Sequence, residues 1–342
     1  MPNEAVTEAI DAVASGRDLS EDQAQHVLRQ IMGDAVEPAQ TAAFLIALRT
    51  KGETVDELVG LARTMRELAL PVEVAGDELL DTAGTGGGVP TFNVSTTAAL
   101  VAAAAGARVA KHGNRSATSL SGSADLLEAL GARIDLEPPA VAECIEDVGF
   151  GFMFAPRHHA ATRHVVPVRK ALGVRTIFNF LGPLTNPAGA TRQLVGVFDP
   201  AYRELVASAL VRLGAHRAAV VSGADGMDEI SVAGETSLLE VTPEGVTHHM
   251  VSPERVGLER ARDEEVRGGT PAQNAEITRG VLGGEQGPQR TLVVLNAGAA
   301  LFIAGRASGF EEGVRLAEQA IDSGAAIDTL ERFVQKTRQL DD

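Results

Sequence analysis

The chain has 342 residues, of which 44% are hydrophobic and 22% are charged. This composition excludes an intrinsically disordered or collagen-like protein. Thirty lysines and arginines against 46 aspartates and glutamates give a net charge of −16, so the general field of the molecule repels nucleic acid and anionic membranes. Any anionic substrate must therefore be held by a local basic cluster.

Cysteine content and apolar runs indicate the compartment. Cys144 is the only cysteine, which excludes an intramolecular disulfide framework and a cysteine-rich zinc site. No apolar run approaches the ~20 residues of a membrane-spanning helix, and residues 1–12 lack the pattern of a signal peptide. We therefore expect a cytoplasmic protein with no nucleic-acid or membrane partner.

Residues 1–72 are predicted to form a small helical N-terminal domain, because apolar residues recur at helical spacing and no strand pattern interrupts them. Two capping-box pairs and two glycines mark the ends of these helices. They are Ser20 with Gln23, Thr54 with Glu57, Gly33 and Gly52.

Residues 73–342 are predicted to form a larger α/β domain with a mainly parallel central sheet, because strands and helices alternate along it. A segment at about 165–190 is rich in proline and glycine and could return to the helical domain. The predicted strands are 79–82, 108–111, 133–136, 218–222 and 291–296, with a hairpin at 237–241 and 246–251 and helices at 95–105 and 124–130.

A glycine-rich loop follows the first predicted strand. Gly84, Gly86, Gly87 and Gly88 precede a helix, an arrangement that offers free backbone N–H groups and a positive helix terminus to an anion. A dinucleotide fingerprint would need a glycine where Val89 stands, and a P-loop would need a lysine after the glycines. The loop is therefore expected to bind phosphate by neither of those motifs, although a closely packed structural turn remains the alternative.

A basic loop follows the second predicted strand, in the order Lys111, His112, Gly113, Asn114, Arg115 and Ser116. Ligands of open α/β sheets bind beyond the carboxyl ends of the strands, so both loops should face one crevice. In a protein of net charge −16, this cluster predicts a polyanion pocket rather than a solvated turn.

Together these motifs closely resemble anthranilate phosphoribosyltransferases, and the resemblance extends through residues 163–187 and Asp228-Glu229. It implies a homodimer formed through the helical domains, with Mg²⁺ as cofactor. The implied substrates are 5-phosphoribosyl 1-diphosphate (PRPP) and anthranilate, and the products are N-(5-phosphoribosyl)anthranilate and diphosphate, as in the second step of tryptophan biosynthesis from chorismate.

The resemblance also implies roles for individual residues. Ser95, Asp228 and Glu229 would contact the metal, although an Asp-Glu pair alone is more often a solvated turn. Gly84, Asn114 and Arg169 would bind anthranilate, Arg169 pairing with its carboxylate unless it forms a salt bridge between domains. No general base is assigned, His112 included. The implied PRPP-binding residues are Gly84, Gly87, Gly88, Thr91, Asn93, Val94, Ser95, Thr96, Lys111, His112, Gly113, Asn114, Arg115, Ser116, Ala117, Thr118, Ser119 and Ser123.

Three points remain open at the level of sequence. The first loop is one residue shorter than is usual in the family and lacks its acid. Because backbone N–H groups would hold the anion, we still expect an active enzyme, with an altered Mg²⁺ response or loop flexibility. A pyrimidine nucleoside phosphorylase of the same fold is one alternative, and a noncatalytic binding protein is another. The loop Lys111–Arg115 and the region of Arg169 favour the transferase over the phosphorylase.

Overall fold

The computed structural model describes residues 1–76, 78–116 and 120–340. The N-terminal part consists of four helices, and both predicted capping boxes are present at the second and fourth of them. Gly33 and Gly52 end helices as predicted, and Gly52 does so with a φ of 91°, which favours glycine. The helices are α1 (Glu4–Ala14), α2 (Glu21–Met32), α3 (Pro38–Lys51) and α4 (Val55–Glu67).

The larger part is built on a seven-stranded sheet in the order β3-β2-β1-β4-β5-β6-β7. The first five strands of that order are parallel, and the last two join them as the antiparallel hairpin that the sequence predicts. The α/β fold class is thus confirmed. The strands are β1 (Leu79–Gly84), β2 (Arg108–Gly113), β3 (Phe150–Phe154), β4 (Arg192–Gly196), β5 (Arg217–Gly223), β6 (Thr236–Thr242) and β7 (Gly245–Val251).

Alternate side chains of each strand point to opposite faces of the sheet, and both faces are apolar and covered by helices. In β5, Ala219 and Val221 join one hydrophobic core, while Ala218 and Val220 join a second one with the N-terminal helices. The remaining helices are α5 (Val94–Ala104), α6 (Ser123–Leu130), α7 (Pro138–Val148), α8 (Ala155–His158), α9 (Val166–Leu172), α10 (Phe178–Leu184), α11 (Arg203–Arg212), α12 (Pro271–Leu282), α13 (Pro288–Ile303), α14 (Phe310–Asp322) and α15 (Ala325–Gln339).

Two predicted strands are wrong. Residues 133–136 belong to no strand of the sheet, and the Arg133 N–H donates to the Thr337 hydroxyl. The third strand is β3 instead. Residues 291–296 lie in α13, which is buried along most of its length. A helix that is apolar all round shows no amphipathic period, so its β-branched run is indistinguishable from a buried strand in the sequence.

The segment 165–190 packs with the N-terminal helices, although the domain boundary at 72/73 stays a prediction. Val165, Phe178 and Leu181 are buried in the same core as α1–α4. Arg66 of α4 also donates to the Leu184 carbonyl at 2.7 Å. None of the helices in the described part of the chain has both the length and the apolar character required to cross a membrane.

Candidate active site

The carboxyl ends of the parallel strands bring distant segments of the chain together. Gly84 ends β1 and pairs with Gly196, the last residue of β4, while β5 ends at Gly223 immediately before the loop that contains Asp228 and Glu229. The glycine-rich loop and the acidic loop therefore begin at the same edge of the sheet, as expected for a ligand site of an open α/β fold.

Four glycines surround Asp228. A Cβ atom at Gly84 would lie 2.8 Å from Asp228 Oδ2, and one at Gly196 would lie 1.7 Å from the Asp228 carbonyl oxygen. At Gly88 it would lie 2.6 Å from the Gly226 carbonyl oxygen. Gly86 donates its N–H to Asp228 Oδ2 at 3.0 Å. The glycines thus allow the two loops to touch. The backbone packing leaves no room for a side chain at position 88, in the loop that lacks the acid usual in the family.

The peptide groups of the glycine loop are only partly satisfied. Arg175 donates from Nη2 to the Gly87 carbonyl at 2.8 Å. Among the residues that the structure describes, the N–H groups of Gly87 and Gly88 have no hydrogen-bond partner. Such free donors in a glycine loop are suited to an anion.

Glu229 lies between the N-terminus of α5 and a buried lysine. It accepts a hydrogen bond from the Ser95 N–H, and burial together with the charge of Asp228 raises the pKa of Glu229 to about 8. Burial also raises the pKa of Asp228. Two adjacent carboxylates that repel each other in a buried place, beside the Ser95 hydroxyl, form an oxygen donor set that suits Mg²⁺.

Lys111 lies beneath this acidic pair. It is only 1% exposed, and its Nζ donates to the Thr82 carbonyl at 2.5 Å and lies 3.4 Å from Ser95 Oγ. Burial lowers the pKa of Lys111, while the nearby carboxylates of Asp81 and Glu229 raise it. The side chain implied to bind PRPP thus contacts Ser95, one of the residues implied to hold the metal.

Arg115, the other cation predicted for the polyanion pocket, is also committed. Its guanidinium forms ion pairs with Asp125 and Glu128 of α6 and lies over the Phe154 ring at 5.6 Å. Asn114 is exposed and accepts the Arg115 N–H through its side chain. Within the described part of the basic loop, the Asn114 side chain is exposed and forms no ion pair.

Asn93, the N-cap residue of α5, is hydrogen-bonded to the segment just before α6. Its Nδ2 donates to the Ser121 carbonyl at 3.1 Å, and its Oδ1 accepts from the Ser121 hydroxyl at 2.9 Å and from Asn274 of α12 at 2.8 Å. The next residues differ in what they can offer to a ligand. Val94 is buried and its N–H bonds to the Phe92 carbonyl, whereas the Thr96 hydroxyl is buried without a partner in the described chain.

The remaining implied PRPP-binding residues lie around these loops. Gly113 packs closely on the Phe152 ring and Ser123, which begins α6. Thr91 precedes α5 and is partly exposed, and Ser116 donates its N–H to Asp125. Ala117, Thr118 and Ser119 lie outside the described residues.

His112 of the basic loop lies against a second buried histidine, His159, with the two rings tilted by 55°. The rings of His112 and His159 are 5.0 Å apart, and burial lowers their pKa values to about 3 and about 4. His112 Nδ1 donates to the Gly182 carbonyl at 3.2 Å and His159 Nε2 donates to that of Thr185 at 3.1 Å. Both rings are therefore neutral at pH 7, and both are weak proton acceptors.

Arg169 is the side chain implied to pair with the carboxylate of anthranilate. It lies on α9, partly buried, with its guanidinium 5.3 Å from the Phe178 ring centre. It makes no ion pair or side-chain hydrogen bond to any residue that the structure describes, and burial lowers its pKa. A salt bridge between domains, the alternative role, is absent from the described residues.

Sequence reasoning left two residues of this site unassigned. Arg175 contacts the glycine loop, and Asn186 donates to Asp81 Oδ2 at 2.7 Å and to the Ala110 carbonyl at 2.8 Å, which joins the segment 165–190 to β1 and β2. Both lie in motifs that the sequence displays, but their partners are more than 70 residues away, so no local pattern could identify them.

Comparison with known proteins identifies relatives over nearly the full length. Residues 76–327 match a family described as "Glycosyl transferase family, a/b domain", and residues 7–69 match its "helical bundle domain". The anthranilate phosphoribosyltransferase of Rubrobacter xylanophilus is 55% identical over 97% of this chain and 98% of its own. That of Symbiobacterium thermophilum is 54% identical over 96% of both chains.

Solved structures give the same result. The anthranilate phosphoribosyltransferase of Thermus thermophilus superposes with a TM-score of 0.91 at 48% identity, over 96% of this chain and 99% of the other. The Saccharomyces cerevisiae enzyme in complex with PRPP and Mg superposes with a TM-score of 0.90 at 28% identity, over 98% and 99%. The same yeast enzyme has been solved with 4-fluoroanthranilate, with a TM-score of 0.88 at 27% identity over 98% of both chains.

Proposed function

The chain belongs to the anthranilate phosphoribosyltransferase family, and we propose that it transfers the 5-phosphoribosyl group of PRPP to the amine of anthranilate. The products are N-(5-phosphoribosyl)anthranilate and diphosphate. The observation that carries this proposal is the meeting of the glycine loop with Asp228 at one edge of the sheet.

Departure of diphosphate is the step that most needs help from the protein. Breaking the bond at C1 of the ribose develops oxocarbenium character on the sugar and negative charge on the leaving group. The free N–H groups of Gly87 and Gly88 can donate to that charge without reorganisation. The nucleoside phosphorylase alternative receives no support from the relatives, which are named as anthranilate phosphoribosyltransferases.

Magnesium is assigned to the acidic loop. Asp228, Glu229 and the Ser95 hydroxyl would hold the ion. Burial and the charge of Asp228 raise the pKa of Glu229, and a divalent cation would offset both. When bound, Mg²⁺ supplies positive charge to diphosphate oxygens. Lys111 would help to position these ligands, because its Nζ contacts the Ser95 hydroxyl and its charge attracts Glu229.

Anthranilate is assigned to the side of the crevice that contains α9. Arg169 would pair with its carboxylate through two parallel N–H···O bonds, and Gly84 and Asn114 are assigned to the same substrate. The aryl amine is already neutral at pH 7, so the protein needs chiefly to align it with C1. We assign no general base, and His112 with a pKa of about 3 is unsuited to that role.

The experiment that tests this function is the loss of anthranilate fluorescence when purified protein is mixed with PRPP and Mg²⁺. We expect the loss to need all three components. Phosphorolysis of a pyrimidine nucleoside, or PRPP binding without turnover, would instead support one of the two alternatives.

Assembly and location are further proposals from the same family. We expect a homodimer formed through the helical domain, which light scattering after size-exclusion chromatography measures directly. We also expect the enzyme in the cytoplasm, where tryptophan biosynthesis takes place, and cell fractionation tests this.

A further inference from the structure

The two basic side chains that the sequence predicts for the diphosphate already have contacts within the protein. Lys111 is buried and donates to Thr82 and Ser95, and Arg115 is paired with two carboxylates of α6. Arg175 is the basic side chain that contacts the glycine loop itself, and it forms no ion pair within the described part of the chain.

Arg175 is held rigidly in this position. Its guanidinium lies 3.5 Å from the centre of the Phe198 ring and donates from Nη2 to the Gly87 carbonyl at 2.8 Å. Arg49 of α3 donates at 3.0 Å to the carbonyl of Arg175, which ties the backbone to the helical domain. A stacked, bonded guanidinium has little freedom left, so it can fix the group that it contacts.

The bond to Gly87 also determines where the next N–H points. The C=O of residue 87 and the N–H of residue 88 belong to one trans peptide plane and point in opposite directions. By holding the Gly87 carbonyl, Arg175 therefore turns the free Gly88 N–H away from itself. Gly87 has a φ of 87°, and a Cβ there would lie 1.4 Å from Arg175 Nη2, so both the turn and the contact require glycine.

We propose that Arg175 is a positioning residue for PRPP, which fixes the glycine loop with the Gly88 N–H presented to the diphosphate. This inference rests on the proposed function, because it names the residue that prepares the same site for one of its two substrates. It assigns Arg175 no contact with anthranilate and no role in the chemical step.

The test compares Arg175→Met and Arg175→Lys with Arg338→Met. Arg338 is a matched control, because it donates to the carbonyl of Gly131 at 2.8 Å and lies against another glycine of positive φ, on the far helix α15. We expect Arg175→Met to raise the KM and the calorimetric Kd for PRPP about tenfold. Arg175→Lys should restore part of the affinity, and Arg338→Met should resemble the wild type.

The pattern of constants separates positioning from simple loss of structure. The kcat and the KM for anthranilate should change less than about twofold, since neither the metal ligands nor Arg169 is altered. An unchanged KM for PRPP in Arg175→Met, measured beside an active wild type, would overturn the inference while leaving the proposed function intact. An inactive wild type would count against the proposed function instead.

A second variant keeps the inference testable if Arg175→Met folds poorly. Gly87→Ala should expel the guanidinium and raise the KM for PRPP in the same way. Gly87→Ala should then raise the KM for PRPP by a smaller factor in the Arg175→Lys variant than in the wild type, because the two changes remove one shared interaction. Fully additive effects would show that Arg175 does not act through Gly87.

Discussion

At the scale of single residues, the site depends on which charges are already used. Lys111 is buried against Thr82 and Ser95 and Arg115 is paired with carboxylates, whereas Arg169 and Arg175 have no ion pair with any described residue. In a protein of net charge −16, we therefore propose that these two guanidinium groups influence how the anionic substrates bind. Their separate positions, on α9 and beside Gly87, predict separate effects on the two substrates.

Arg169→Ala should raise the KM for anthranilate about tenfold or more and leave that for PRPP nearly unchanged, because one charge-assisted carboxylate contact is lost. Lys170→Ala is the control, since it removes a neighbouring charge from the same helix, at an exposed position. Steady-state kinetics with each substrate varied in turn would measure both effects. An unchanged anthranilate dependence in Arg169→Ala would remove this residue from the site.

Replacing Asp228 with Asn and Glu229 with Gln should increase the Mg²⁺ concentration for half-maximal activity about tenfold or more, or abolish activity. The chain should remain folded, because loss of the two charges relieves a repulsion. The matched control is Glu146→Gln with Asp147→Asn, an exposed acidic pair on α7. A normal Mg²⁺ titration in the first double variant would return Asp228 and Glu229 to the solvated-turn interpretation.

The buried histidines predict that the protein becomes less stable as the pH falls. The pKa of His112 is about 3 and that of His159 about 4 in the folded chain, against 6.5 for the free side chain. Acidification below pH 6.5 protonates the unfolded chain first, so the free energy of unfolding should fall by about 2 kcal/mol per ring between neutral pH and pH 5.

Urea unfolding at pH 7.5 and pH 5 would measure this loss of stability in the wild type, in His112→Gln and in His26→Gln. The last variant replaces an exposed histidine of α2. His112→Gln should lose about 2 kcal/mol less on acidification than the wild type does, while His26→Gln should follow the wild type. Equal losses in all three proteins would mean that the His112 ring does not remain neutral in the folded chain.

At the scale of elements, strand ends place the loops and small residues let them meet. Gly196 ends β4 against the backbone of Asp228, so Gly196→Ala should displace the acidic loop. We expect kcat/KM to fall about a hundredfold, with a higher Mg²⁺ requirement. Gly234→Ala is the control, since a Cβ there has no neighbour within 4 Å. Normal kinetics in Gly196→Ala would show that the loop tolerates the shift.

The elements also show what sequence patterns can predict. The capping boxes at Ser20 and Thr54, the β6–β7 hairpin and the loops after β1 and β2 were all evident, because each depends on neighbouring residues. α13 was mistaken for a strand because burial on all sides removes helical periodicity. β4 was missed, because five residues between a turn and a loop carry no alternation long enough to detect.

The same distinction applies within the site. The residue types around the strand ends predicted anion and metal binding, but their pairing depends on folding. Contacts with β1 direct Lys111 towards Thr82 and Ser95, and contacts with α6 pair Arg115 with carboxylates. Neither outcome can be predicted from the residue types alone. Arg175 could not be assigned from the sequence because its contact, Gly87, lies 88 residues earlier in the chain.

At the scale of the whole molecule, the site joins three separate stretches of chain. The glycine loop follows β1, and the basic residues 111–116 run from the end of β2 into the next loop. The acidic loop follows β5, and the segment of α9 and α10 packs with the N-terminal helices. The PRPP side of the proposed site thus belongs to the sheet, and the anthranilate side to the segment that packs with those helices. Transfer requires both substrates in one crevice.

A single time course tests that central claim most directly, with N-(5-phosphoribosyl)anthranilate quantified by mass spectrometry and diphosphate release followed in the same mixture. The proposed function predicts equal amounts of the two products, with neither formed when Mg²⁺ or anthranilate is omitted. Diphosphate release that does not depend on anthranilate, or binding of PRPP without product at any Mg²⁺ concentration, would contradict it.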